Sequence, residues 1–157
     1  MRGASGRGWS AALALAAGVV ALDQLSKALV RGSLERGERV DLVLGVDLAR
    51  ISNRGIAFGF LGDGGAVVLV VTLLALAAML VWFALAPHRP GLWVAVGLLA
   101  GGAIGNLIDR VRLDAVTDFI DPPLWPAFNV ADVAITLGAG ALVVSVLWGG
   151  GKVAAPG

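Results

Sequence analysis

Cysteine is absent from the 157 residues. Its absence removes thiol catalysis, disulfides and any thiolate metal site, and the chain cannot itself be lipidated on cysteine. Histidine occurs once, as His88, so a Ser-His-Asp triad or a multi-histidine zinc site would have to be built around that one residue. Charge is scarce as well. Charged residues make up 15% of the chain, against about a quarter in a soluble domain. The net charge of +1 gives no general attraction to nucleic acid, and no nucleic-acid partner is expected. The acids are also confined: none lies before Asp23, around His88 or after Asp132.

What the chain has in quantity is apolar side chain. Hydrophobic residues make up 58%, and the mean hydropathy is +0.88. A water-soluble fold of this length would leave large apolar surfaces unburied, so the expected solvent is the bilayer. Four apolar stretches are long enough to cross about 30 Å of hydrocarbon at about 1.5 Å per residue. They run over about 9–30, 66–86, 91–108 and 130–148. The first opens like a secretory signal peptide, with Arg2 and Arg7 before an apolar core. It continues into Asp23 and Lys27, which favours a first membrane helix over a cleaved leader.

The expected fold is therefore an all-α membrane protein of four transmembrane helices in one domain. Pro87-His88-Arg89-Pro90 is a short turn joining the second and third helices, with Pro90 at a helix start. An even number of spans puts both termini on the side of that turn. The other side then holds the two larger segments, about 31–65 and 109–129. Segment 31–65 alternates around Val40-Asp41-Leu42 and Val46-Asp47-Leu48, between Gly37, Gly45 and Gly55. That pattern reads as two short strands forming a hairpin or small sheet. Counting Lys and Arg leaves the orientation open: raw numbers favour the long segments inside the cell, and density favours the short ones.

A charged side chain at mid-depth in a span costs on the order of 2.5–3.5 kcal/mol by insertion scales, so the few present call for a reason. Asp23 and Lys27 are one helical turn apart and can neutralise each other on one face, or support a site near the helix end. Ser26 and Lys27 are adjacent, so on a helix they point about 100° apart and make a poor Ser-Lys dyad. The third helix is expected to end in Gly105-Asn106-Leu107-Ile108-Asp109-Arg110. Asp109 there opposes the macrodipole and Arg110 offsets it, while Gly101 and Gly105 form a small-residue packing face. In Phe128-Asn129-Val130-Ala131-Asp132, Asn129 is a natural N-cap with Asp132 at the third position of a capping box. Capping does not account for Asp118, which stands between apolar neighbours in Val116-Thr117-Asp118-Phe119-Ile120. The turn Asp121-Pro122-Pro123-Leu124-Trp125-Pro126 can bring the chain back to the membrane face, where Asp118 and Asp132 would meet.

Taken in order, Asp23…Lys27, Asn53-Arg54-Gly55, Gly105-Asn106…Asp109-Arg110, Val116-Thr117-Asp118-Phe119-Ile120 and Phe128-Asn129-Val130-Ala131-Asp132 resemble the lipoprotein signal peptidase family. The similarity covers nearly the whole chain. It departs from the family in a short, Pro-rich link between Asp118 and Asp132 and in a Gly/Ala-rich tail. It implies an intramembrane aspartic endopeptidase with Asp118 and Asp132 as catalytic residues and no cofactor or metal. Asn53, Arg110 and Asn129 would contact the substrate, and Asp23, Lys27, Asn106 and Asp109 would support the site. The implied substrate is the signal peptide of a bacterial prolipoprotein bearing a diacylglyceryl cysteine, cut just before that cysteine. The implied placement is the bacterial inner membrane, with both termini cytoplasmic and the long segments and their β element extracytoplasmic. A monomer in contact with membrane lipid is expected. The competing class is a small proton-coupled transporter, for which intramembrane carboxylates are equally natural; it predicts acids spread through the membrane depth rather than gathered on one side.

Overall fold

The computed structural model describes residues 2–54, 64–85 and 91–149, with backbone alone at 2–5, 64–69 and 148–149. The expected turn at 87–90 lies outside the described residues, as do residues 55–63 of the segment 31–65. The elements in order are α1 (Arg2–Ser33), β1 (Arg39–Val43), β2 (Val46–Asn53), α2 (Gly64–Leu85), α3 (Leu92–Leu113), β3 (Val116–Asp121) and α4 (Val130–Gly149). Among the described residues, three helical stretches are long and apolar enough to cross a membrane: Gly6–Ser33, Leu92–Leu113 and Val130–Leu147. Val70–Leu85 is a shorter apolar helix.

The third helix is central and packs on the other three. Glycine makes the approach possible. A β-carbon on Gly101 would fall 2.7 Å from Val19 Cβ and 2.9 Å from Ala16 O, and one on Gly102 would fall 2.5 Å from Ala131 O. The expected small-residue face is therefore real, and Gly102 extends it toward α4. Beyond this contact, Ala12, Phe83, Leu92 and Val96 form a buried cluster, with the Trp9 ring tilted at 53° against Phe83, centroids 4.6 Å apart. Elsewhere the helices carry their apolar side chains outward, as at Leu22, Leu25, Leu29, Leu74 and Leu137, each 59–65% exposed. This is the distribution that a lipid environment permits and water does not.

Two expectations need correction. Helix α3 does not end near residue 108 but runs on to Leu113. Val111-Arg112-Leu113 is compatible with helix, and Arg110 and Arg112 in the last turn suit the negative end of the macrodipole. The stop comes at Asp114, whose N–H makes the last bond, to Arg110 O at 3.1 Å, and whose left-handed φ of 56° then turns the chain out of the helix. Asp109 and Arg110 are thus held on helix rather than at its frayed end. The β element has three strands rather than two, in the order β1-β2-β3, all antiparallel. The third comes from the segment read as a plain connection; its Val, Thr, Phe and Ile fit a pleated, half-buried surface once β2 is present to pair with it.

The sheet packs on the end of α1. Val30 and Leu34 at the end of α1 bury against Phe119 of β3, with Leu48, Ile120 and Val130 around them. Arg50 of β2 donates to the carbonyls of Arg31 and Leu34 at 3.0 and 2.8 Å, satisfying groups that the helix end leaves unpaired. Strand β3 is therefore fixed on both sides before it delivers Asp118.

Candidate active site

Asp118 reaches its position through strand register. It lies opposite Ile51 in the β2–β3 pairing, so Asn53, two residues along on the same face of β2, is its diagonal neighbour. Asn53 Nδ2 donates to Asp118 Oδ2 at 2.9 Å. Asp132 reaches its position through helix capping. Asn129 Oδ1 accepts from Asp132 N at 3.1 Å, and Asp132 Oδ2 accepts from Asn129 N at 3.2 Å. This is the expected capping box, closed in both directions.

One side chain joins the two carboxylates. Asn129 is fully buried, and its Nδ2 donates to Asp118 Oδ1 at 2.7 Å while its backbone N–H and Oδ1 hold Asp132. Asp132 Oδ1 accepts a further bond, from Asn106 Nδ2 at 2.8 Å. Both oxygens of both acids are thus engaged by neutral donors. Arg110 sits within the electrostatic field of Asp132, Asp118 and Asp109. Its Nη1 is 3.5 Å from Asn106 O, at the limit of hydrogen bonding.

Beneath the pair lies a buried ionic layer. Lys27 is fully buried, with Nζ 2.9 Å from Asp23 Oδ2, 3.5 Å from Asp109 Oδ2 and 2.9 Å from Asn106 Oδ1. An ammonium can only donate, so Asn106 must turn its oxygen to Lys27 and its NH₂ to Asp132. Asp23 also accepts the backbone N–H of Ala131 at 3.0 Å, tying α1 to the start of α4. Asp109 Oδ2 accepts Thr117 N at 2.9 Å, one residue before Asp118. A β-carbon on Gly105 would come within 2.6 Å of Asp23 Oδ2, so this layer needs glycine there. Ser26 turns away, its hydroxyl donating to Asp23 O at 2.8 Å, as the helix geometry predicts.

The nine residues singled out from sequence thus come together at one end of the bundle, in two tiers: Asn53, Arg110, Asp118, Asn129 and Asp132 above, Asp23, Lys27, Asn106 and Asp109 below. Sequence reading missed Gln24, whose Nε2 lies 3.1 Å from Asp23 Oδ2, 3.2 Å from Asp109 Oδ1 and 3.0 Å from Gly105 O. It also missed Arg31, which donates to Thr117 Oγ1 at 3.1 Å and sits 3.5 Å from Asp109 Oδ1. Gln24 had a signal, being polar inside an apolar span beside Asp23. Arg31 had none, since an arginine at a membrane-helix end is ordinary.

Asp118 is 2% exposed. Burial pushes its carboxyl up to about 6, and the charge of Asp132 pushes the same way; the amides of Asn53 and Asn129 and the charge of Lys27 hold it down. As pH falls, Asp118 is therefore ready to take up a proton well before an ordinary aspartate. Beside Asp132, Trp125, Phe128, Val133, Thr136 and Leu137 line an open, mainly apolar groove of about 290 Å³.

Comparison with known proteins gives a consistent picture. The family described as signal peptidase II matches residues 15–148. A lipoprotein signal peptidase of Nitratidesulfovibrio vulgaris is 45% identical over 137 residues, covering 81% of this chain and 83% of that protein. One of Moorella thermoacetica is 40% identical, covering 87% and 89% respectively. Two solved bacterial membrane enzymes share the fold: one at TM-score 0.78 and 29% identity over 87% of this chain and 92% of the other. The second has a TM-score of 0.79 and 27% identity over 93% of both chains. Transport finds no support among these relatives.

Proposed function

The chain belongs to the signal peptidase II family, and from that premise we propose that it removes the signal peptide of bacterial prolipoproteins with Asp118 and Asp132 as an aspartic catalytic pair. It is a membrane protein and a protease by that membership. The observation that carries the aspartic reading is the convergence of two carboxylates, from a strand and from a helix start, on the single side chain of Asn129.

Two acids this close do not both ionise readily, so the pair retains one proton. Burial makes Asp118 the site that takes it up. Asp132 accepts a proton from the attacking water while the protonated partner hydrogen-bonds to the scissile carbonyl. The hydroxyl adds to the carbonyl carbon, and collapse of the tetrahedral intermediate sends a proton to the leaving amine. Arg110 and the amides of Asn53 and Asn129 contact the extended substrate backbone and the developing oxyanion. Asp23, Lys27, Asn106 and Asp109 hold these groups in place. No cofactor enters the scheme.

The same reading gives a single domain with four spans (about 9–30, 66–86, 91–108 and 130–148), both termini in the cytoplasm, and the sheet and site on the extracytoplasmic side of the inner membrane. The working unit is a monomer. The substrate carries diacylglyceryl on the cysteine after the cut, its acyl chains lying in lipid and adding binding energy away from the reacting bond. Purified protein in vesicles is expected to release a signal peptide ending just before the modified cysteine, and to leave the unlipidated precursor uncut. Cleavage is expected to persist in chelator; loss of activity in EDTA, restored by a divalent ion, would point to a metal hydrolase instead.

A pH profile gives a second check. The pair works with one proton, so kcat/KM is expected to fall as pH rises through the Asp118 titration at about 6. Asn53 holds that value down by stabilising the ionised form. In Asn53→Ala the alkaline limb is therefore expected to move to higher pH, whatever happens to the maximal rate. A limb that stays in place or moves down would remove Asp118 as the titrating group.

A further inference from the structure

Two leucines occupy positions that suit neither their backbone nor their surroundings. Leu44, in the β1–β2 turn, has φ 54° and is 92% exposed; Leu124, between β3 and α4, has φ 80° and is fully exposed. The left-handed region is unfavourable for a residue with a bulky β-carbon and is ordinarily filled by Gly, Asn or Asp. A leucine in water gains nothing there in return.

The two sites are neighbours. A β-carbon on Gly45 would lie 3.7 Å from Pro123 Cγ, so the turn and the connection touch. Leu42 and Val43 precede Leu44 at 59% and 63% exposure, and Trp125 follows Leu124 at 71%. No charged residue interrupts 42–45 or 122–126. The apolar surface then continues onto a helix that is apolar enough to cross a membrane, because Trp125 lines a groove with Val133 and Leu137 of α4.

We infer that the β1–β2 turn and the Leu124–Trp125 loop insert together into the bilayer interface, as an apolar wedge that holds this end of the sheet in lipid. Lipid is the occupant because the patch runs without a break into the outward face of α4. A tryptophan at that level places its ring on the apolar side and its N–H at the wet boundary. The wedge sets the height of β3, and so of Asp118, relative to the hydrocarbon.

The cysteine-free sequence makes the test direct, since Leu44→Cys and Leu124→Cys each create one labelling site. The labels are nitroxides, read in vesicles of phosphatidylethanolamine and phosphatidylglycerol. At both positions relaxation by oxygen is expected to be strong and relaxation by a water-soluble nickel chelate weak, as at Leu137→Cys on α4. The ratio inverts at Arg36→Cys, on the exposed turn before β1. In the unlabelled protein, lipids brominated near the headgroup are expected to quench a component of fluorescence that disappears in Trp125→Phe. Nickel access at 44 and 124 equal to that at 36 places the wedge in water and overturns the inference. So does poor access of both reagents with spin–spin broadening that grows with protein density, because a second copy would then cover the patch.

Discussion

Asp118→Asn and Asp132→Asn are each expected to lose peptidase activity by at least about 10²–10⁴-fold, the range for removing a positioned proton-transfer group. Both proteins should still fold, because an amide nearly matches the shape of a carboxylate, but the two should differ in stability. Both oxygens of Asp118 accept from asparagine NH₂ groups, those of Asn53 and Asn129. An amide at 118 must turn its own NH₂ toward one of them. Asn129 cannot reverse, because its oxygen is committed to Asp132 N, so the mismatch falls on the Asn53 side, at an exposed strand end. The mismatch at 118 therefore lies where water can reach it.

At 132 neither donor can yield. Asn129 presents a backbone N–H, and Asn106 is oriented by Lys27. An amide there faces a donor it cannot satisfy and weakens the cap of α4, at about 1–3 kcal/mol. Thermal midpoints in detergent are expected to rank wild type, then Asp118→Asn, then Asp132→Asn, with both variants inactive on lipidated precursor. Near-normal turnover by either would dismiss the pair.

The contrast between these two acids also marks what could be read from sequence. The capping box and the Asp23–Lys27 pair are local, a few residues apart on one element, and their geometry follows from helical periodicity alone. The small-residue face of α3 was legible for the same reason. Strand β3 was not, because Val116–Asp121 becomes a strand only when β2, far back in the sequence, supplies the ladder; propensity by itself does not distinguish that from a connection. The end of α3 was misplaced because the polar cluster at Asn106–Arg110 looked like a terminus. Its polarity answers Lys27, Thr117 and Asp132 instead, contacts that the primary sequence does not encode locally.

Lys27→Met is expected to cause the largest loss of stability of any single change in this site, about 3–5 kcal/mol, the cost of removing one partner from a buried ion pair. Methionine fills the space, so the effect is electrostatic. Asp23 and Asp109, both buried, lose the cation between them, and Asp109 keeps one ion-pair partner among the described residues, Arg31 at 3.5 Å. Asn106 also loses the charge on its oxygen and keeps only the 3.2 Å bond from Asn129 Nδ2 to orient its amide, so the donor to Asp132 is held less firmly. Asp23→Asn should be milder, because Lys27 keeps Asp109 and Asn106 and no carboxylate is stranded, although the new amide can accept from only one of Ala131 N and Lys27. The pair is then informative together. If the loss comes from unpaired charge, Lys27→Met with Asp23→Asn recovers part of the midpoint lost by Lys27→Met alone, since one of the two stranded carboxylates has gone. Strictly additive losses in thermal unfolding would show instead that Lys27 acts by packing. Activity should not return with the midpoint, because in the double variant the Asn106 oxygen still lacks Lys27 and is held by Asn129 Nδ2 alone.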